Sequence, residues 1–231
     1  ILLCHNNSVL RMVQSIKQGN KMAEENLVYF LDGKIYINLT NICTNKCIFC
    51  LRKTKDDVCG QEMWLKTENF EPEDVELQLE NQLKKHESVK DIVFCGYGEP
   101  TLKLDILEEV AKYIRKNHSD KKIRINTNGH ANYVYKRNVI PELKGLVDEI
   151  SVSLNAENAK EYDRLSQPDF DGAFDEVKKF IKSSSDAGIK TVASIVEGYK
   201  GEHHDIKMCE KIAKDCGAKL RVREWIKTGY D

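Results

Sequence analysis

The chain is poor in several features that would assign it to a broad class at once. No run approaches the about eighteen consecutive apolar residues that a membrane-spanning helix needs. The opening Ile1-Leu2-Leu3-Cys4 is too brief for the apolar core of a secretion signal. Charge of neither sign is in excess: 36 Lys and Arg face 37 Asp and Glu, a net of −1. That balance removes the electrostatic basis for a dedicated DNA- or RNA-binding module and leaves only a local basic patch open. Staples are not needed either, since 231 residues bury a core without the disulfides of a small secreted domain. A cytoplasmic protein with no membrane partner is expected. Apolar residues at 41% and charged ones at 32% describe an ordered chain, long enough for one generous domain or two small ones.

What is present is an alternation of strands and helices. Lys34 to Thr40 alternates apolar and polar residues as a strand does. Glu71-Pro72-Glu73-Asp74 opens a helix, with proline in its first turn and carboxylates at the positive end of its dipole, and it closes near Lys84-Lys85-His86. Asp91 to Cys95 is the second predicted strand, followed by a helix with Ile106, Leu107, Val110, Ala111 and Ile114 on one face. Lys122 to Asn126 is the third, with a shorter helix from Ala131 to Ile140. Glu149 to Leu154 is the fourth, before a helix carrying Phe174, Val177, Phe180 and Ile181 that stops near Gly188. Thr191 to Val196, a helix from Asp205 to Cys216, and Leu220 to Ile226 complete the repeat.

Six strands separated by helices predict parallel pairing with right-handed crossovers. A doubly wound sheet hides both faces, and its strands read as nearly continuous apolar runs. Here Ile35, Ile37 and Leu39 oppose Tyr36, Asn38 and Thr40; Ile150, Val152 and Leu154 oppose Ser151, Ser153 and Asn155; Leu220 and Val222 oppose Arg221, Arg223 and Trp225. One face packs on helices while the other is polar, so the α/β class narrows to an open, partial barrel with its chemistry at the C-terminal strand ends. Residues 1–33 are expected as an N-terminal extension, with Met22 a candidate true start, and residues 34–231 as the barrel domain.

Three of the eight cysteines fall within eight residues, Cys43, Cys47 and Cys50, in a C-x3-C-x2-C spacing. Thiolates are soft ligands suited to zinc or iron–sulfur clusters. Structural zinc and ferredoxin clusters take four ligands; three thiolates hold three irons of a [4Fe–4S] cluster and leave the fourth open. Cys59 supplies a fourth thiolate if the site is closed, so a zinc-stabilised binding protein and a pure electron-transfer protein both stay open. Cys209 and Cys216 follow a helical apolar stripe and read as packing groups. Cys95 reads the same way, and His203 and His204 as loop residues.

With Phe49 between the second and third cysteines, the segment after the first predicted strand resembles the signature of the radical S-adenosylmethionine (SAM) superfamily, C-x3-C-x-aromatic-C. Gly96-Tyr97-Gly98-Glu99-Pro100 resembles that family's Gly-Gly-Glu-type motif at the end of the second strand. The resemblance spans roughly residues 34–226. It implies a partial (β/α)6 TIM-like barrel, a [4Fe–4S] cluster on Cys43, Cys47 and Cys50, and SAM chelated at the open iron. Reductive cleavage of SAM would then give a 5′-deoxyadenosyl radical that abstracts hydrogen from an unidentified substrate, small molecule or protein. A reductant such as flavodoxin or ferredoxin is implied as partner. SAM contacts carried over from the motifs are Phe49, Gly96, Tyr97, Gly98, Glu99 and Pro100. Asn126, Asn128, Ser153 and Asn155 at later strand ends join them, with Arg164 for the SAM carboxylate. Val196, Arg223 and Trp225 are placed near adenine or substrate. The absence of a cysteine-rich C-terminal extension argues against extra clusters. The run Phe94 to Leu102, with Cys50-Leu51-Arg52-Lys53 and Val222-Arg223-Glu224, resembles the compact TatD-associated radical SAM group, and activases of glycyl radical enzymes are the alternative within the superfamily.

Overall fold

The computed structural model describes residues 25–225. Met22 as a start, and Ile226 at the end of the last predicted strand, lie outside them.

Strand β1 (Val28–Leu31) turns through Asp32-Gly33 into β2 (Lys34–Ile37) as an antiparallel hairpin. Both turn residues have positive φ, 46° and 72°, the backbone of a type I′ turn that Asp-Gly favours. The periodicity reading left residues 28–31 in the extension; the hairpin puts them at the sheet edge. The cysteine loop and a small hairpin, β3 (Asp57–Val58) with β4 (Gln61–Glu62), follow. Then come α1 (Pro72–Lys85), β5 (Asp91–Phe94), α2 (Leu104–Asn117), β6 (Lys122–Thr127), α3 (Ala131–Val134), α4 (Ile140–Leu143) and β7 (Glu149–Ser153). The chain continues through α5 (Ala159–Ser166), α6 (Ala173–Asp186), β8 (Lys190–Glu197), α7 (Ile206–Asp215) and β9 (Lys219–Glu224).

The main sheet has the order β1-β2-β5-β6-β7-β8-β9, parallel from β2 onward. Its six parallel strands are the six predicted. The fold is α/β and mostly parallel; among the described residues β1 and β9 are the sheet's edges, so the barrel is partial and not closed.

The helices form where their ends are chemically marked. Around α1, the Glu71 and Asp74 side chains bond reciprocally to each other's backbone N–H groups, and Pro72 occupies the first turn. Val75, Leu79 and Leu83 recur at four-residue spacing and are buried against the sheet. Leu107, Val110, Ala111 and Ile114 of α2 and Phe174, Val177, Phe180 and Ile181 of α6 do the same. They meet Ile35, Ile37, Ile92, Phe94, Ile123, Ile125, Ile150 and Val152, all without solvent exposure. Each such side chain contributes about 1.5–3 kcal/mol by leaving water.

The helix expected over Ala131 to Ile140 is instead two single turns. Lys136 between them adopts a left-handed φ of 53°, which no α-helix continues through, and Pro141 starts the second. Helix α5 was not anticipated; the Asn158 side chain caps it by accepting from the Glu161 N–H at 3.0 Å.

Candidate active site

Cys43 to Cys50 leave the C-terminal end of β2 and cross towards α5. Backbone bonds zip this loop down: Lys46 N donates to Ser166 O, Ile48 N to Leu165 O, and Asp169 N back to Thr44 O, at 2.9–3.0 Å. The Arg52 guanidinium closes the loop from the other side, donating to the carbonyls of Asn41, Asn45 and Tyr97. Beneath Cys43 runs a buried polar chain. Thr44 Oγ1 meets His130 Nδ1 at 2.8 Å, and His130 Nε2 meets the Tyr162 hydroxyl at 2.9 Å. Asn45 Nδ2 donates to that hydroxyl, and Asn128 Nδ2 donates to Thr44 Oγ1 and reaches Cys43 Sγ at 3.7 Å. Burial holds His130 neutral, its pKa lowered to about 4.

The glycine motif begins where β5 ends. A methyl group on Gly96 would stand 1.9 Å from Asn38 Oδ1, and one on Gly98 would stand 2.2 Å from Thr40 O and 2.6 Å from Ile42 O. Glycine here lets two neighbouring strand ends touch. Glu99 N then donates to Ile42 O at 2.8 Å, tying this motif to the cysteine loop. The Glu99 carboxylate is buried and accepts from Thr101 N and Oγ1, Thr127 Oγ1 and Asn128 N. Burial pushes its pKa up, and those four bonds oppose the shift.

One cavity of about 370 Å3 lies at these strand ends, in the range of small-molecule sites. Cys43, Cys47, Cys50, Phe49, Gly96, Tyr97, Gly98, Glu99, Asn126, Asn128, Ser153 and Asn155 all border it. Val196, Arg223 and Trp225 do too, with Trp225 Nε1 donating to Phe49 O at 3.3 Å. Pro100 does not: it is buried in the first turn of a 3-10 helix beyond the motif. Arg164 is also elsewhere. It lies on α5 with both guanidinium nitrogens on the Glu202 carboxylate and a third bond to Glu161, because those two carboxylates lie on its own side of the helix. Cys59 is exposed at the β3–β4 turn with φ 51° and does not border the cavity, so the four-cysteine site is not brought together. Cys95, expected to pack, borders the cavity beside Asn126. Cys209 is buried on α7 as expected.

Arg52, Thr44, His130 and Tyr162 are the residues that sequence reasoning missed. Only Arg52 left a local trace, two positions after the third cysteine.

The donor set fits a cluster with one open iron. Three soft thiols share one wall, and burial together with mutual repulsion raises Cys43 to about 11 and Cys47 to about 12. Such thiols ionise only when cations compensate them. Among the described residues no three His, Cys, Asp or Glu side chains are gathered as a finished ion cage. Asn45 Oδ1 and Asn155 Oδ1, on two buried side chains bordering the cavity, have no hydrogen-bond partner, a sign that the space receives a donor-bearing ligand. Among the described residues no helix is long and apolar enough to cross a membrane.

The fold is shared with solved radical SAM proteins. SuiB of Streptococcus suis bound to S-adenosylmethionine superposes with a TM-score of 0.62 at 18% identity, covering 100% of this chain and 49% of that one. SuiB bound to its precursor peptide SuiA gives 0.60 at 19%, covering 100% and 48%. The anSMEcpe protein with bound AdoMet and a peptide gives 0.55 at 17%, covering 83% and 50%. This chain thus spans about half the length of these proteins. No curated protein matches it. The family model described as the radical SAM superfamily matches residues 37–215, from the end of β2 through α7 and so across both cavity motifs. The chain belongs to the radical SAM superfamily, whose members are enzymes that use a [4Fe–4S] cluster and S-adenosylmethionine.

Proposed function

We propose that this chain cleaves S-adenosylmethionine reductively and uses the product to take a hydrogen atom from a substrate held in the same cavity. The observation that carries this reading is the meeting of the three-cysteine loop and the Gly-x-Gly-Glu motif on one cavity wall. When bound, the cluster and SAM supply the one-electron cleavage that yields methionine and a 5′-deoxyadenosyl radical.

The chain's own residues bind and orient. Cys43, Cys47 and Cys50 would hold the cluster, and their loop is fixed by the Thr44–His130–Tyr162 chain and the Arg52 clamp. Asn155 and Asn45 offer buried amide oxygens to ligand N–H groups, and Asn128 steadies Cys43. Trp225 Nε1 donates to Phe49 O between the cysteine loop and β9, which sets two aromatic side chains at that border of the cavity. Electrons arrive from a small low-potential carrier such as flavodoxin or ferredoxin.

The test is anaerobic. The protein is reconstituted with iron and sulfide, reduced with SAM present, and assayed for 5′-deoxyadenosine. Formation that depends on all three cysteines supports the reading. A protein that takes up a four-iron cluster yet neither binds nor cleaves SAM returns electron transfer to the front.

A further inference from the structure

We propose that the cavity-facing side of β9 binds an oxyanion, a carboxylate or phosphate group, carried by the substrate. The inference rests on the function proposed above, since it takes the recess beside the SAM end as the substrate's place.

Arg221 and Arg223 alternate with Leu220 and Val222, so both guanidiniums leave the same face of β9, about 7 Å apart along it. Both border the cavity. Parallel pairing sets Arg221 beside Ser194 and Ser194 beside Ser153, so the cation faces a wall of hydroxyls. Arg221 Nη2 donates to Ser151 Oγ at 2.6 Å, which turns the fork along that wall. The other charges bordering the cavity are differently engaged. Arg52 is held by three carbonyls, and the Glu99 oxygens are taken by Thr101, Thr127 and Asn128. Glu224 alternates to the other side of β9 from Arg221 and Arg223 and borders the same cavity at the end of the strand. A chain of net charge −1 thus sets two cations and several hydroxyl donors along one side of the cavity, Arg221 partly buried and Arg223 exposed. Forked guanidinium donors beside hydroxyls are the chemistry that recognises carboxylate or phosphate through charge-assisted bonds.

The test titrates the reconstituted full chain with inorganic phosphate and, separately, with succinate, by calorimetry. SAM is present throughout, so that its own carboxylate is not the ligand read. SAM binding and iron content are measured on the same samples. Wild type binds at least one anion saturably, and the stronger of the two identifies phosphate or carboxylate as the source. Arg221→Gln and Arg223→Gln each weaken that binding about tenfold or more. Arg137→Gln, which breaks only the surface pair with Glu142, leaves it unchanged. The Arg223 variant keeps the test decisive if Arg221→Gln fails to fold, because Arg223 is exposed. Absence of saturable binding, or equal binding in both variants, overturns the proposal while SAM binding stands. Anion binding lost on those substitutions in samples that do not bind SAM supports the anion site and counts against the cofactor reading instead.

Discussion

Lowering the pH should loosen the cysteine loop from below, through His130. The imidazole has no exposure and joins Thr44, next to Cys43, to Tyr162. Its pKa drops from 6.5 to about 4 because burial disfavours the charged form. The folded state therefore binds the proton less readily than the unfolded chain, so stability is fully present above about pH 6.5 and falls as pH drops towards 4. Two and a half units at 1.36 kcal/mol each set a ceiling of about 3 kcal/mol, of which about 2 is already lost by about pH 5. The assay is urea unfolding of the cluster-free protein at about pH 7.5 and about pH 5, for wild type and His130→Gln. Other titrating groups are common to both proteins, so the difference between the two pH dependences isolates His130. Wild type should lose about 2 kcal/mol more than the variant over that span. The variant should start lower at neutral pH, having lost bonds to Thr44 or Tyr162. Equal losses in the two proteins would refute the claim that a neutral buried imidazole supports this loop.

Alanine at Cys43, Cys47 or Cys50 should each abolish cluster iron and deoxyadenosine formation, whereas Cys59→Ser, at an exposed turn, should spare both; iron analysis and product chromatography decide. Gly98→Ala drives a methyl group into the carbonyls of Thr40 and Ile42. It should cost about 1–3 kcal/mol in urea unfolding and reduce iron loading, because the cysteine loop begins at that contact. Raised thiol pKa values mean that Cys43 and Cys47 give up protons on loading, so iron uptake at fixed time should improve from about pH 7 to about pH 9, read by visible absorbance. Arg164→Gln should leave SAM affinity unchanged by equilibrium dialysis, since its guanidinium is taken up by Glu202 and Glu161 outside the cavity.

The parallel sheet was legible because several of its strands carry two faces of different chemistry. Ile123 and Ile125 alternate with Arg124 and Asn126, and that period survives any detail of packing. The cysteines and the Gly-Glu-Pro run were legible because they are local in sequence. The β1 hairpin lies outside the strand–helix alternation, because only the Asp32-Gly33 turn separates β1 from β2. The support under Cys43 was illegible for a different reason. Thr44 and His130 are 86 positions apart, and Asn45 and Tyr162 are 117 apart, so only the fold juxtaposes them. The partners of Arg164 were not legible either, because strand-end position says nothing of which carboxylates a helix turn will bring alongside.

Among the described residues the sheet has two unpaired margins, β1 on one side and β9 on the other, and such margins bear on what a partial barrel can accept. A sealed barrel admits only what passes whole through its rim, so total size is the filter. A sheet with a seam filters by cross-section instead: one residue or group can reach the strand ends while the molecule carrying it runs out along the gap. For a sheet of that kind mass would not be the criterion, and β9, with its arginines, would stand at the seam's lip.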